Sequence, residues 1–101
     1  MEILFHRQAT REYPAALRRY DRITSRLGDR FVAAVSTAVG KILVNPNSPP
    51  VELGPFRRVR LRKFPYALFF AIISADTIGV VAVAHTSRRA GYWRRRRFDN
   101  P

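Results

Sequence analysis

A short stretch in the second half of the chain alternates cationic and apolar side chains. Arg58, Arg60 and Arg62 occupy every second position, with Val59 and Leu61 between them. Successive side chains of a β-strand point to opposite faces, so a strand here would place the three guanidinium groups on one face. Guanidinium groups bind phosphate and carboxylate oxygens through paired hydrogen bonds. The pattern therefore predicts a strand whose polar face binds anions.

The charge of the chain is concentrated around this stretch. The 101 residues include 19 Lys+Arg and 7 Asp+Glu, which gives a formal net charge of +12. Residues 57–97 contain eleven basic residues and a single acid, Asp76. Such a surface predicts a polyanionic partner: nucleic acid, an acidic protein segment or a membrane surface. Only Lys41 and Lys63 are lysines, and a surface so rich in arginine fits nucleic acid better than diffuse lipid charge.

Several kinds of chemistry are disfavoured by composition. The chain has no cysteine, and its two histidines and seven acids lack the spacing of a metal site, so we expect neither a metal nor another cofactor. No apolar run approaches the ~20 residues that a membrane span needs. The first apolar run stops at Phe5 and does not have the layout of a signal peptide. We therefore expect a cytoplasmic protein without a membrane partner.

The first half of the chain predicts a strand and two helices. Residues 2–6 form a short strand candidate, and an apolar repeat of three and four residues then indicates a helix that begins near Thr10, with Thr10 as its cap. Pro14 is compatible only with a first turn. Gly28 is predicted to break the pattern, and a second amphipathic helix follows until the proline-rich segment 45–50.

The second half predicts an antiparallel sheet. After a loop at 51–55 come the basic strand and two apolar strands, 66–73 and 78–84, joined by a polar turn. These strands are apolar on both faces, which predicts that both faces are covered. The expected fold is α+β, in the order β-α-α-β-β-β: a four-stranded, mainly antiparallel sheet, a helical hairpin on one face and a short C-terminal basic tail. This tail would cover part of the other face, and its residues Arg94 to Arg97 are interpreted as flexible and phosphate-attracting. We expect one domain, residues 1–101.

Three short segments follow one another at characteristic spacing in the second half of the chain. They are Leu61-Arg62-Lys63-Phe64-Pro65-Tyr66-Ala67, Val81-Ala82-Val83-Ala84-His85 and Arg88-Arg89-Ala90-Gly91-Tyr92-Trp93. In this order the segments resemble the RelE/ParE superfamily of bacterial toxins. The resemblance implies a type II toxin–antitoxin toxin, with a cognate acidic antitoxin that folds onto it in a hetero-oligomer.

The resemblance implies one of two cellular targets. RelE-like members cleave mRNA on the ribosome, using basic and aromatic residues of the sheet and the C-terminal region, whereas ParE-like members poison DNA gyrase and lack that set. The arginines and Tyr92 match part of the nuclease pattern, so ribosome-dependent mRNA cleavage by a metal-independent endoribonuclease is our leading prediction. Gyrase inhibition and a non-toxic nucleic-acid-binding module are the alternatives.

Four residues are the candidates for metal-free RNA cleavage. Arg60 and Arg62 would clamp the scissile phosphate, His85 would exchange a proton near neutral pH, and Tyr92 would hold a proton or stack on a base. Further contacts to nucleic acid are predicted from neighbouring basic and aromatic residues. They are Arg58, Lys63, Arg88, Arg89, Trp93, Arg94 and Arg95.

Each candidate also has a structural interpretation. The arginines of the strand could be solvated or could bind an acidic antitoxin, and His85 could be a hydrogen-bonded structural histidine. Tyr92 and Trp93 could cap the edge of the core. Glu52, the sole carboxylate between Asp29 and Asp76, is interpreted as a loop residue.

Overall fold

Two helices and five strands form the computed structural model, which describes residues 1–98. In chain order they are β1 (Glu2–Phe5), α1 (Ala9–Asp21), α2 (Ser25–Val44), β2 (Val51–Leu53), β3 (Phe56–Arg60), β4 (Tyr66–Ser74) and β5 (Thr77–His85).

The strands form one mixed sheet in the order β1-β5-β4-β3-β2. The prediction of four strands was wrong by one, because part of the predicted loop 51–55 is β2, which pairs with β3. Strands β3, β4 and β5 form the predicted antiparallel meander. β1 lies parallel to β5 at one edge. The helical hairpin carries the chain from the edge of the sheet at β1 to the opposite edge, where β2 begins, and the antiparallel strands β2 to β5 then lead back until β5 lies beside β1.

The cap of the first helix lies two residues earlier than predicted. Gln8 occupies the cap position without a side-chain cap bond, and Thr10, the predicted cap, lies inside α1 and donates its hydroxyl to the Arg7 carbonyl. Pro14 also lies inside α1, beyond the first turn. A proline there removes one hydrogen bond from the helix, so tertiary packing must supply part of the stability of α1.

The predicted break at Gly28 was also wrong. Thr24 caps α2, because its hydroxyl accepts a hydrogen bond from the Leu27 amide at 3.0 Å, and Gly28 lies within the helix. A Cβ atom on Gly28 would meet the Asp21 carboxylate, and it would lie 3.5 Å from the Asp21 Cα atom. Glycine at this position lets the Asp21 side chain lie against the start of α2 without moving aside.

One apolar core lies between the helical hairpin and the sheet. The rings of Tyr20 and Phe31 stack at 5.1 Å and meet Tyr66 of β4 edge-on. Val59 and Leu61 are buried in the same cluster. The alternating pattern therefore predicted correctly which side of the basic strand faces the core.

A second apolar cluster covers the opposite face of the sheet. A bulge in β5 shifts the register, so that Phe70 pairs with Val80 and Phe69 pairs with Ala82. The extra residue, Val81, is buried with Ala82 under Trp93. The segment 91–98 thus packs on the sheet, so the C-terminal tail covers part of this face, as the sequence predicted. The aromatic rings of this segment bury apolar area on the sheet, while its exposed arginines keep their charged ends in water.

Candidate anion-binding site

A cleft of about 180 Å³ opens on the face of the sheet opposite the helices. Its floor is a row of residues in register across three strands: Arg60 of β3 pairs with Ala67 of β4, which pairs with Ala84 of β5. The two alanines are only 2% and 4% exposed. Because their side chains are single methyl groups, they leave a depression between the larger residues around them.

Seven of the predicted site residues line this cleft. They come from β3, from the end of β5 and from the segment that follows β5, and Glu52 of β2 joins them at the rim. The seven are Arg58, Arg60, His85, Arg88, Arg89, Tyr92 and Trp93.

Two predicted residues at the end of the basic strand lie outside the cleft. β3 ends at Arg60, and the chain then turns, with Lys63 in the left-handed conformation at φ 68°. Arg62 and Lys63 are exposed in this turn and do not line the cleft. The alternating sequence continues past the point where the backbone stops being a strand, so Arg62 does not extend the row of Arg58 and Arg60.

Glu12 of α1 is the residue beside the cleft that the sequence did not predict. One carboxylate oxygen accepts from the Val83 amide at 3.0 Å and from Arg96 at 2.9 Å. The other accepts from the Tyr92 hydroxyl and from a second Arg96 nitrogen, both at 2.7 Å. Glu12 and Arg96 are 15% and 10% exposed at their side chains. One largely buried carboxylate therefore joins α1, β5 and the C-terminal segment.

The charges of this cluster stabilise one another. Burial alone would raise the pKa of Glu12, but the hydrogen bonds from Arg96, Tyr92 and the Val83 amide outweigh it and hold the pKa below its ordinary value. Burial alone would lower the pKa of Arg96, but the hydrogen bond and the negative charge of Glu12 outweigh it and raise this pKa above its ordinary value. The ion pair is therefore maintained at neutral pH.

Tyr92 keeps its proton in this cluster. Burial, the hydrogen bond to Glu12 and the negative charge of Glu12 together raise the pKa of Tyr92 to about 12. The guanidinium carbon of Arg88 lies 3.7 Å from the centroid of the Tyr92 ring, and its nearest nitrogen lies 3.9 Å from Glu12. One face of the ring is thus covered by a cation, and the cluster holds Arg88 at the cleft.

Trp93 has the environment that its structural interpretation predicted. Its side chain is buried, with the residue 2% exposed, and its ring stacks on Phe69 at 4.4 Å and meets Phe56 edge-on at 5.0 Å. A base cannot stack on an indole whose faces are occupied by protein. The structure matches the alternative interpretation of Trp93, as a cap on the core.

His85 and Glu52 hold local contacts at the cleft. The Nδ1 atom of His85 lies 3.0 Å from the Ser87 amide, which donates to it, and 2.7 Å from the Ser87 hydroxyl. The His85 ring packs edge-on against Tyr66 at 5.0 Å. Glu52 lies 3.3 Å from Arg58. The carboxylate predicted in a loop thus belongs to β2 and pairs with an arginine of β3.

The four consecutive arginines at 94–97 differ in their surroundings. Arg94 donates to the carbonyl of Gly91 at 3.0 Å, and Arg95 is exposed; neither lines the cleft. Arg96 is buried against Glu12 and also donates to the Val81 carbonyl at 3.1 Å. The prediction that the whole run forms a phosphate-attracting tail was wrong for Arg96, because its guanidinium is used inside the fold.

The raised pKa of Tyr92 predicts a late alkaline titration. Folding favours the protonated hydroxyl, so its contribution to stability is complete below pH 10 and is lost as the pH rises towards 12. We expect the tyrosinate ultraviolet absorbance to include a step near pH 12 that Tyr92→Phe removes. If that variant instead loses a step near pH 10, the bond from Tyr92 to Glu12 does not persist in solution.

Residues 3–90 of the sequence match the profile of a known family, described as the ParE toxin of type II toxin-antitoxin system, parDE. The chain belongs to the ParE toxin family. The resemblance to RelE/ParE toxins that the sequence indicated is therefore confirmed. The matched range includes Glu12, Arg60 and His85 and ends before Tyr92 and Arg96 of this ParE-family toxin.

A solved structure with a similar fold comes from the chromosomal ParDE TA system from P. aeruginosa. The TM-score is 0.72 at 16% sequence identity, and the alignment covers 86% of this chain and 97% of that chain. At this identity the likeness establishes the fold. No curated protein matches the sequence significantly.

Two searches of the described residues were negative. Within residues 1–98, no group of three or more His, Asp or Glu side chains is arranged to hold a metal ion. In the same part of the chain, neither helix combines the length and apolarity that a bilayer crossing requires.

Proposed function

We propose that this ParE-family chain is the toxin of a toxin–antitoxin pair and that it inhibits growth by binding DNA gyrase, without catalysing a reaction itself. The observation that carries the proposal is the hydrogen bond from Tyr92 to Glu12. It engages the tyrosine that was the candidate proton carrier at the predicted nuclease site.

General acid–base catalysis needs groups that can exchange protons near neutral pH. Tyr92, with a pKa of about 12, is a poor proton donor there, and Glu12 has a lowered pKa and is surrounded by four hydrogen bonds. Glu52 is paired with Arg58. Among these candidates, His85 keeps one ring nitrogen, Nε2, without a hydrogen bond to any group within residues 1–98. Acid–base cleavage needs a second proton-exchanging group, so a single imidazole supports a binding function better than a catalytic one.

Ribosome-dependent mRNA cleavage is the second candidate. It is supported by the placement of Arg60 and His85 at one cleft, since the guanidinium would stabilise phosphate charge and the imidazole would carry the proton. This mechanism would require Tyr92 to leave Glu12 or another group to act in its place.

We also propose that a cognate antitoxin covers a groove on the other side of β3. This shallow groove of about 700 Å³ runs from the end of α2 to β3, with Val44, Pro49 and Pro50 on its apolar wall and Lys41 and Arg58 among its cations. Val44 is 87% exposed. An acidic segment with apolar anchors would bury that wall and neutralise part of the +12 charge.

Two assays with the purified protein distinguish the candidates. Incubation with gyrase and supercoiled DNA should accumulate gyrase-linked DNA breaks, while mRNA on translating ribosomes stays intact. Cut mRNA without such breaks would overturn the proposal in favour of the nuclease. In cells, expression should arrest growth, and co-expression of the small acidic protein from the neighbouring reading frame should restore it.

A further inference from the structure

We propose that the cleft is a binding site for the phosphate backbone of duplex DNA, formed by Arg60, Arg88 and Arg89 over the alanine floor. The choice of DNA rests on the proposed function, since gyrase acts on duplex DNA. The site would bring the toxin into direct contact with the DNA of the complex that it poisons, in addition to its contact with gyrase.

The shape of the cleft fits a phosphate group. The floor at Ala67 and Ala84 is low because both side chains are single methyl groups, while the larger Phe69 and Trp93 also line the cleft. The volume of about 180 Å³ is sufficient for a phosphodiester with part of its sugar, and too small for a folded segment of protein. A leucine in the place of Ala84 would fill this depression.

Four arginines and one carboxylate line the cleft, so its charge is positive. Glu52 at the rim is already paired with Arg58 at 3.3 Å. Within residues 1–98, no carboxylate oxygen lies within 4 Å of the guanidinium of Arg60 or Arg89. Arg88 packs over the Tyr92 ring and lies 3.9 Å from Glu12, while 54% of its side chain stays exposed, so these contacts favour one orientation before any ligand arrives. A partly oriented side chain loses less entropy on binding than a free one.

The aromatic residues explain why the ligand should be a backbone and not single-stranded bases. Proteins that bind single strands stack bases on exposed rings. Here Trp93 is buried between Phe69 and Phe56, and one face of Tyr92 lies under Arg88. Cations remain for phosphates, whereas the indole is buried and the Tyr92 ring already lies near two guanidinium groups, with Arg88 at 3.7 Å and Arg96 at 5.1 Å from its centroid. We therefore expect binding that is independent of sequence and no weaker for duplex than for single strands.

The test is the fluorescence anisotropy of a labelled DNA duplex with purified toxin in the absence of gyrase. Arg60→Ala and Arg89→Ala should each weaken binding ~5-fold or more and reduce the slope of log K against log salt by about 1. The matched control is Arg30→Ala, an exposed arginine of α2 on the other side of the sheet, which should change affinity less than ~2-fold. Circular dichroism of each variant checks that the fold is retained.

Three results would overturn the proposal. The cleft variants could bind duplex as well as the Arg30→Ala control does, or the parent toxin could clearly prefer single strands. The third is that the cleft variants lose antitoxin binding while they keep duplex binding. The last result would make the cleft a site for an acidic peptide. Ala84→Leu supplies an independent test, since a folded variant with all its arginines should still bind the duplex poorly. Gyrase assays on the same variants are scored separately. A toxin that binds duplex but does not inhibit gyrase would contradict the proposed function alone, and one that inhibits gyrase without binding duplex would contradict the DNA site alone.

Discussion

Glu12→Gln should lower the free energy of unfolding by about 3 kcal/mol, because it leaves the largely buried Arg96 guanidinium without its counter-charge. Glutamine keeps the shape of the side chain, but an amide NH2 group replaces one of the two carboxylate oxygens, so a donor then faces donors. The Tyr92 hydroxyl and the Val83 amide then compete with Arg96 for one oxygen. Urea unfolding followed by circular dichroism measures the change.

The control for this prediction is Glu2→Gln, which removes the same charge from an exposed residue of β1 and should cost less than about 0.5 kcal/mol. A double-mutant cycle with Arg96→Gln adds a second measurement. The two partners should couple, so that the double variant is less destabilised than the sum of the single variants. Equal, small effects at Glu2 and Glu12 would contradict the structure of this cluster.

Local periodicity predicted the parts of the fold that depend on neighbouring residues. Alternation placed Val59 and Leu61 in the core, and two-sided apolar strands correctly implied a second covered face. The helical hairpin followed from apolar residues three and four apart. β2 was missed because a three-residue strand has too few residues to show a period, and Gly28 was misread because glycine inside a helix can also permit close packing.

The cluster of Glu12, Tyr92 and Arg96 could not be predicted, because Glu12 is far from the other two residues in the sequence. Glu12 is separated from Arg96 by 84 positions, and nothing in a run of four arginines distinguishes Arg96 from its neighbours. The choice is made by the path of the backbone: Gly91 takes a positive φ of 75°, and the following turns bring Arg96 back over β5. The lining of the cleft was easier to predict, because strand alternation places Arg58 and Arg60 on one face.

The cluster also changes the interpretation of the site residues. In the sequence, Tyr92 and Arg88 read as groups that meet a ligand directly. In the structure, Tyr92 holds Glu12 with its hydroxyl and Arg88 with its ring, so it positions a cation. Loss of Tyr92 should therefore affect the arrangement of the cleft as well as any contact of its own, and a reduced activity of Tyr92→Phe would not by itself identify a proton donor.

Trp93→Ala should lower the free energy of unfolding by about 3–5 kcal/mol, the cost of deleting a large buried aromatic side chain. The indole is 2% exposed and is the centre of the second apolar cluster, so its loss removes the contacts that fix segment 91–98 to the sheet. Trp93→Phe is the matched variant. It keeps a ring against Phe69 and should cost about half as much. Chemical unfolding of the three proteins gives these values.

The same variants separate a structural tryptophan from one that binds nucleic acid. If Trp93 only supports the fold, Trp93→Phe should bind duplex DNA within ~2-fold of the parent protein, because Arg60 and Arg89 stay in place. A tryptophan that stacks on bases would show the opposite pattern: unfolding free energy close to that of the parent, and a loss of nucleic-acid affinity. Because the indole is 2% exposed, stacks on Phe69 and meets Phe56 edge-on, we expect stability and not affinity to respond.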